Sequence, residues 1–172
     1  MYFIVISGIS GTGKSTIADL LGTRMQIPVF SIDWIKSFFF SHNLVENTWN
    51  ETRHLGYELL IMLAFRQLDL GQSVILDCVL AREIYRKKLF KLSQQYMAKW
   101  IVVECVCSIQ GIHQHRIKAR KRNIPGLKDI TWEYVENVKE NFATWDSERL
   151  VLDSVNTVES NLNMLINYIN KH

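Results

Sequence analysis

The sequence predicts an α/β fold in which a parallel sheet of five strands lies between layers of helices. Two observations carry this. Short apolar runs alternate with longer amphipathic ones along the whole chain, the pattern left by a sheet buried on both faces. A glycine-rich run, Gly8-Ile9-Ser10-Gly11-Thr12-Gly13-Lys14-Ser15, stands directly between the first apolar run and the first amphipathic one. At 172 residues, 48% of them hydrophobic, the chain is sized for a single domain over 1–172 with one core.

The first strand is expected over 2–7, where Tyr2-Phe3-Ile4-Val5-Ile6 is unbroken by charge, and the first helix over 14–25. Pro28 ends that helix and opens a second strand over 28–32. Helices over 33–41 and 51–70 follow. Ser73-Val-Ile-Leu-Asp77 gives a third strand, and further strands are expected over 100–106 and 149–153. The remaining amphipathic runs place helices over 82–98, 109–122, 131–145 and 157–170. Between Arg122 and Thr131 the Pro125-Gly126 pair is the strongest turn signal, and this segment is expected to be a mobile loop.

Several classes are excluded. No apolar stretch escapes interruption, by Gly8, Asp33 or Asp77, for the length a bilayer demands. The chain enters its first strand without a charged lead-in, so cytoplasmic residence is expected. Cys78, Cys105 and Cys107 sit in apolar settings and are expected to be buried free thiols in a reducing compartment. The net charge of +3 says little, but its basic residues cluster.

The run from Gly8 to Ser15 is a full Gly-x-x-x-x-Gly-Lys-Ser placed after a strand and opening a helix. Glycines let the backbone close around a phosphate, and a helix N-terminus adds about half an elementary positive charge. The phosphate-binding set is therefore Gly8, Ser10, Gly11, Thr12, Gly13, Lys14, Ser15 and Thr16. Lys14 is expected on the β- and γ-phosphate oxygens. Ser15 is expected on magnesium, which prefers hard oxygen ligands, and Thr16 packs nearby in the helix.

Asp77 ends a strand at the carboxyl edge of the sheet, where open α/β folds bind ligands. It is a candidate for a magnesium-bound water or a substrate group, or else the cap of the helix that follows. Asp33 follows the second strand and lies one helical turn before Lys36, so carboxylate and ammonium face one cleft. A carboxylate there can orient a substrate hydroxyl and accept its proton, with the cation holding the acceptor or the transferred phosphoryl group. The alternative for Asp33 is an N-cap. The run His113-Gln-His115-Arg116-Ile-Lys118-Ala-Arg120-Lys121-Arg122 concentrates positive charge before the loop. Arg116 and Arg120, four apart, share a helix face and can grip the γ-phosphate or lie on the base; otherwise the run is a solvated face. Arg86, Lys87 and Lys88 are expected on a solvated face, with Arg82 near enough to Asp77 to touch an acceptor. A zinc site from Cys105, Cys107, His113 and His115 is rejected, because the cysteines fall in a buried strand without turn-borne spacing. Phe38, Phe39, Phe40 and Trp34 are expected mostly in the core, and Trp132, Tyr134 and Trp145 are expected to pack the penultimate helix.

With the loop of Gly8 to Ser15, Asp33-Trp-Ile-Lys36, Gly71-Gln-Ser-Val-Ile-Leu-Asp77, Arg116 with Arg120, and Leu150-Val-Leu-Asp153 before Ser154, the chain resembles the small P-loop kinases of the adenylate-kinase-like group. That set holds polynucleotide 5′-hydroxyl kinases, chloramphenicol phosphotransferase and zeta-toxin-like proteins. The resemblance covers nearly the whole length. It implies a three-layer P-loop NTPase fold with a five-stranded parallel sheet and a short lid at about 113–130. It further implies ATP with Mg2+ as donor, Asp33 as hydroxyl-activating acid, and a lid arginine at Arg116, Arg120 or Arg122. Base contacts from the lid helix and from around Ser154 to Asn156 are also implied. Lys36, Asp77 and Arg82 are the acceptor-side candidates. Polynucleotide kinases of this group carry Asp-x-x-Arg where this chain has Asp33-x-x-Lys36, so a small hydroxyl-bearing acceptor is expected ahead of nucleic acid. The alternatives are a polynucleotide 5′-hydroxyl kinase and a nucleotide-gated binding module that hydrolyses ATP slowly.

Overall fold

A strand buried on both faces needs apolar residues in succession, and the first strand has them: Phe3, Ile4, Val5 and Ile6 are all fully buried. In the computed structural model, which describes residues 1–44, 49–121 and 123–172, this strand is β1 (Tyr2–Ser7). It is followed by α1 (Lys14–Met25), β2 (Val29–Ser31), α2 (Ile32–Ser41), α3 (Trp49–Asp69) and β3 (Val74–Asp77). Then come α4 (Glu83–Gln95), β4 (Lys99–Val106), α5 (Gln110–Ala119), α6 (Trp132–Glu140), β5 (Leu150–Asp153) and α7 (Val158–Lys171). The five strands form one parallel sheet in the order β2-β3-β1-β4-β5, an α/β architecture of the P-loop NTPase type.

Alternation along β1 divides the core in two. Phe3 and Val5 face Tyr57, Leu60, Ala64 and Leu68 of α3 and Leu89 of α4. Ile4 and Ile6 face Ile17, Ala18 and Leu21 of α1 and Leu162, Leu165 and Ile169 of α7. Register then fixes the functional edge. Ile6 lies opposite Asp77 on one side and Val103 on the other, so β3 ends beside the start of the glycine loop while β4 runs on to Val106 alongside it.

Three helices stop short of their expected ends. After α4, Met97 turns left-handed at φ 50 and Ala98 N–H bonds back to Ser93, which closes the helix before 98. After α5, Arg120 leaves in extended geometry with ψ 123, so the expected helix to 122 ends at Ala119. Arg122 lies outside the described residues. After α6 the chain runs irregularly, and Trp145 lies beyond the helix it was expected to pack. The Pro125-Gly126 turn, read as a mobile loop, lies on α2, where Ser37 Oγ donates to Pro125 O at 2.5 Å.

Arg86 corrects the expectation of a solvated face. It is 6% exposed and donates to Leu80 O, Thr144 O and Ala143 O, each at 2.8 Å. Its guanidinium stacks 3.7 Å from the Trp145 ring centroid. The carbonyls after α6 have no helix or strand to satisfy them, and a buried five-donor fork meets that need. Burial, chiefly, pulls its pKa down. Phe38 and Trp34, expected mostly in the core, are 54% and 58% exposed. Among the described residues no helix is long and apolar enough to cross a membrane.

Replacing Arg86 by Ala removes three charge-assisted bonds and the stack on Trp145, and is expected to cost about 3 kcal/mol. Urea unfolding should show the midpoint falling with the slope unchanged, and Arg86→Lys should recover little, since an ammonium cannot reach three carbonyls in a fork.

Candidate active site

The glycine loop between β1 and α1 depends on backbone that other residues adopt only under strain. Gly8, Gly11 and Gly13 have φ of 138, 85 and 81. A Cβ at Gly8 would collide with the carbonyl oxygen of Cys105, and one at Gly11 would lie 2.6 Å from Ile117 Cδ1. The loop's carbonyls are bound by the protein: Thr12 Oγ1 donates to Ile9 O at 2.8 Å and His113 Nε2 donates to Ser10 O at 2.7 Å. Helix α1 has Gly13 as its N-cap, which supplies no side-chain cap, and has no acidic residue in its first turn. Its orphan N–H groups are thus left for an anion. Lys14, Ser10 and Thr12 are buried, and Ser15 is half-buried beside them. Thr16, expected to pack nearby, is exposed.

Asp77 stands one strand away. It is 3% exposed; Ser31 Oγ donates to its Oδ2 at 3.0 Å, while Oδ1 is buried with no hydrogen-bond partner. It caps no helix, because α4 begins only at Glu83 with Arg82 as its N-cap residue. Asp33 is also not an N-cap. Ser31 holds that position, and Asp33 sits in the first turn of α2 with its carboxylate 3.9 Å from Lys36 Nζ. Lys36 is buried. The thiol of Cys78 reports how these groups meet. Its pKa is pushed far up, by burial first and then by Asp77 and Asp33, against the lowering pull of Lys14 and Lys36. Asp77 is bonded to Ser31, the residue that precedes the helix carrying Asp33 and Lys36, and β3 lies beside β1, whose loop leads to Lys14, so these groups share the carboxyl edge of the sheet.

Lys36 and Arg82 share a cleft of about 570 Å³ with Arg53 and Tyr57 of α3, Tyr85 of α4, and Tyr134, Asn137 and Asn141 on one face of α6 and its exit. Its floor is a stacked pair, Tyr57 on Tyr85, with centroids 4.1 Å apart. Arg53, Tyr57, Asn137 and Asn141 escaped the sequence reading, and Tyr134 was expected only to pack the penultimate helix. Their one signal is helical spacing, Arg53 four before Tyr57 and Tyr134 three before Asn137, which no motif distinguishes from an ordinary helix face. A second cavity of about 480 Å³, lined by Gly8, Ile9, Cys105, His113 and Trp145, lies on the other side of the α6 exit.

The lid arginines part company. Arg116 donates to Ser154 Oγ at 2.8 Å and Ser154 O at 2.9 Å, joining α5 to the loop after β5. Asp153 Oδ1 accepts from the N–H groups of Val155 in that loop and of Ser108 between β4 and α5. Burial raises the Asp153 pKa, but bonds from Ser108 and Val155 and the charge of Arg116 outweigh it and hold the carboxyl below its usual range. Arg120 is exposed at the end of α5 and does not share a helical face with Arg116, because the helix has already ended. Cys105 is buried, its thiol pushed up to about 12 by burial, while Cys107 lies past the end of β4 and is only half-buried, which corrects its placement in the strand. Cys107 Sγ sits 3.9 Å from Arg116 Nη1.

A family model described as an AAA domain matches residues 3–144. Solved structures share the fold over almost the whole chain. A protein from Chloroflexus aurantiacus j-10-fl aligns with TM-score 0.79 at 21% identity, covering 99% of this chain and 97% of its own. A sugar kinase from Janibacter sp. HTCC2649 aligns with TM-score 0.73 at 16% identity, covering 99% and 95%. An APS kinase from Mycobacterium tuberculosis, in complex with AMPPNP and APS, aligns with TM-score 0.71 at 16% identity, covering 98% of each chain. No curated protein matches in sequence.

Gly8→Ala should weaken binding of a fluorescent ATP analogue by about tenfold or more and lower the melting temperature, because the loop must shift off the Cys105 carbonyl. Gly71→Ala, where a Cβ meets nothing within 4 Å, should leave nucleotide affinity unchanged in the same titration.

Proposed function

The chain belongs to the AAA-domain family, and on that premise we propose that it is an ATP-dependent kinase that transfers the γ-phosphate to a hydroxyl of a small-molecule acceptor. The observation that supports this most is the placement of Lys14, Asp77 and the Asp33–Lys36 pair at the carboxyl edge of one sheet, with Asp77 bonded to the residue that opens the helix of the pair, beside a cleft that the phosphate loop does not line. Structural neighbours that are a sugar kinase and an APS kinase agree with it. Within that reading the chain falls in the adenylate-kinase-like group suggested by its motifs.

The residues divide the work as follows. The loop N–H groups and Lys14 hold the donor phosphates. Ser15 and Asp77 suit Mg2+: both offer hard oxygens, and the buried, unpartnered Oδ1 of Asp77 is the type of acceptor that a metal-bound water satisfies. When bound, the ion supplies charge neutralisation on the phosphates. Asp33 orients the acceptor hydroxyl and takes its proton, and Lys36 offers positive charge to the phosphoryl group as it moves. Arg116, fixed against Ser154, holds the base side, which leaves Arg120 or Arg122 as the lid cation for the transferred phosphate. A walled cleft with the volume of a metabolite site favours a small acceptor over an oligonucleotide.

Incubation with Mg·ATP and a panel of hydroxylated metabolites, nucleosides, aminoglycosides and 5′-hydroxyl oligonucleotides should show one acceptor class gaining a phosphate by mass spectrometry. Asp33→Asn should reduce that gain about 10²- to 10⁴-fold. Lys14→Ala should abolish turnover with the circular dichroism spectrum retained. Bound ATP with no acceptor gaining phosphate, and the same slow ADP release whatever is added, would instead identify a nucleotide-gated binding module.

A further inference from the structure

We propose that His113 is a positioning residue for nucleotide binding: its bond to Ser10 O holds the Ser10–Gly11 peptide with the Gly11 N–H turned into the phosphate cradle. This deepens the phosphate-holding part of the reading above and rests on it, and it requires nothing of the acceptor. A carbonyl oxygen only accepts, so the His113 Nε2 that lies 2.7 Å from Ser10 O carries a hydrogen and donates it. The peptide is planar and trans, so its C=O and its N–H point in opposite directions. With the Ser10 oxygen drawn outward to α5, the Gly11 N–H faces the other way, across the loop.

The loop does not hold this peptide by itself. Turning a peptide over changes ψ of the residue before it and φ of the residue after it by about 180°, with little change in the path of the chain. Gly11 has φ 85, and the opposite sign is as open to a glycine as this one. A serine, for its part, adopts the α and the β range of ψ alike. No backbone N–H reaches Ser10 O among the described residues. The peptide before it has an anchor within the loop, Thr12 Oγ1 on Ile9 O at 2.8 Å; the Ser10–Gly11 peptide is anchored from α5 instead. Turned over, it would aim a carbonyl oxygen at the phosphate and remove one of the donors.

His113 is held rigidly enough to select one orientation. The residue is 4% exposed, and its backbone N–H bonds to Ile109 O at 3.1 Å in the first turn of α5. Trp132 lies edge-on to the ring at a centroid distance of 5.1 Å. The ring also lies close under the loop, since a Cβ on Gly11 would come within 3.1 Å of both Nε2 and Cδ2. In the basic run around it, Arg116 turns to Ser154 and Arg120 stands past the end of the helix. His113 therefore acts through a ring N–H, not through the charge that the run concentrates. A leucine or phenylalanine there could fill the space but could not donate.

A bond that served folding alone would affect stability and leave the folded loop's shape and affinity unchanged, which separates the two roles. His113→Leu and His113→Phe remove the donor while keeping apolar bulk against Trp132, and His113→Gln keeps an N–H near the position of Nε2. Crystal structures of each without nucleotide show the orientation of the Ser10–Gly11 peptide, and calorimetric titration with Mg·AMPPNP gives the affinity. In the donorless variants the peptide should turn over or occupy both orientations, and affinity should fall about tenfold. His113→Gln should recover most of that loss with the original orientation. An unmoved peptide in both donorless variants overturns the proposal, as does a turned peptide with affinity within about twofold of the wild type. Failure of the wild-type protein to bind Mg·AMPPNP would also overturn it. Nucleotide that binds as described while no acceptor is ever phosphorylated would refute the kinase reading and leave the role of His113 standing. Phosphate transfer that persists undiminished in His113→Leu and His113→Phe, with the peptide unmoved, would do the reverse.

Discussion

The glycine loop can offer its N–H groups to phosphate only if something else fixes its shape, because a loop stabilised by its own internal bonds would have no donors left. That outside support comes chiefly from α5. His113 takes the carbonyl of Ser10, Ile117 and His113 crowd the space under Gly11, and Trp132 closes edge-on over His113 at a centroid distance of 5.1 Å. Gly8 presses against the backbone of β4 at Cys105. Loop geometry is therefore a property of the neighbours as much as of the glycines. Because Arg116 lies one turn beyond His113, the helix that supports the glycine loop also reaches Ser154 in the loop after β5. A displacement of α5 would disturb both loops together.

The same dependence on distant chain applies on the acceptor side. Parallel strands finish level at one edge, but nothing in a sheet closes that edge over. Here α6 and its exit do so, and Arg86 holds the exit in place through three carbonyls while Ala143 N–H bonds to Ala81 O at 2.9 Å. The loop after β3 and the segment after α6 become one wall. Arg82 and Asn141, both in the acceptor cleft, are positioned by that junction.

Much of this was legible because it rests on local rules. Apolar runs gave all five strands within about two residues, and the Gly8–Ser15 spacing fixed the start of α1 at Lys14. Placement of Asp33, Lys36 and Asp77 followed from their positions at strand ends. What could not be read depends on residues far apart in sequence. Arg86 looks solvated on a helical wheel, and only the orphan carbonyls of 143 and 144 explain its burial. Arg116 and Arg120 looked like a pair until the helix ended between them. Arg53 acquires meaning only when α3 is laid beside the loop after β3, and no spacing in the chain announces that.

The Asp33–Lys36 pair shows why distance, as well as identity, matters at the reacting end. At 3.9 Å the ammonium and carboxylate attract each other, yet they stand beyond the 2.7–2.9 Å of a charge-assisted hydrogen bond. On the proposed phosphotransfer reading, an acceptor hydroxyl would donate to the Asp33 carboxylate with the Lys36 ammonium beside it. Lys suits this arrangement better than Arg, since a fork in the same place would tend to engage the carboxylate bidentately. The turn after α5 adds a further constraint. Ser37, the residue after Lys36, donates to Pro125 O, so the helix that presents the pair is held against the Pro125-Gly126 turn, and the position of the pair depends on chain 88 residues away from Ser37.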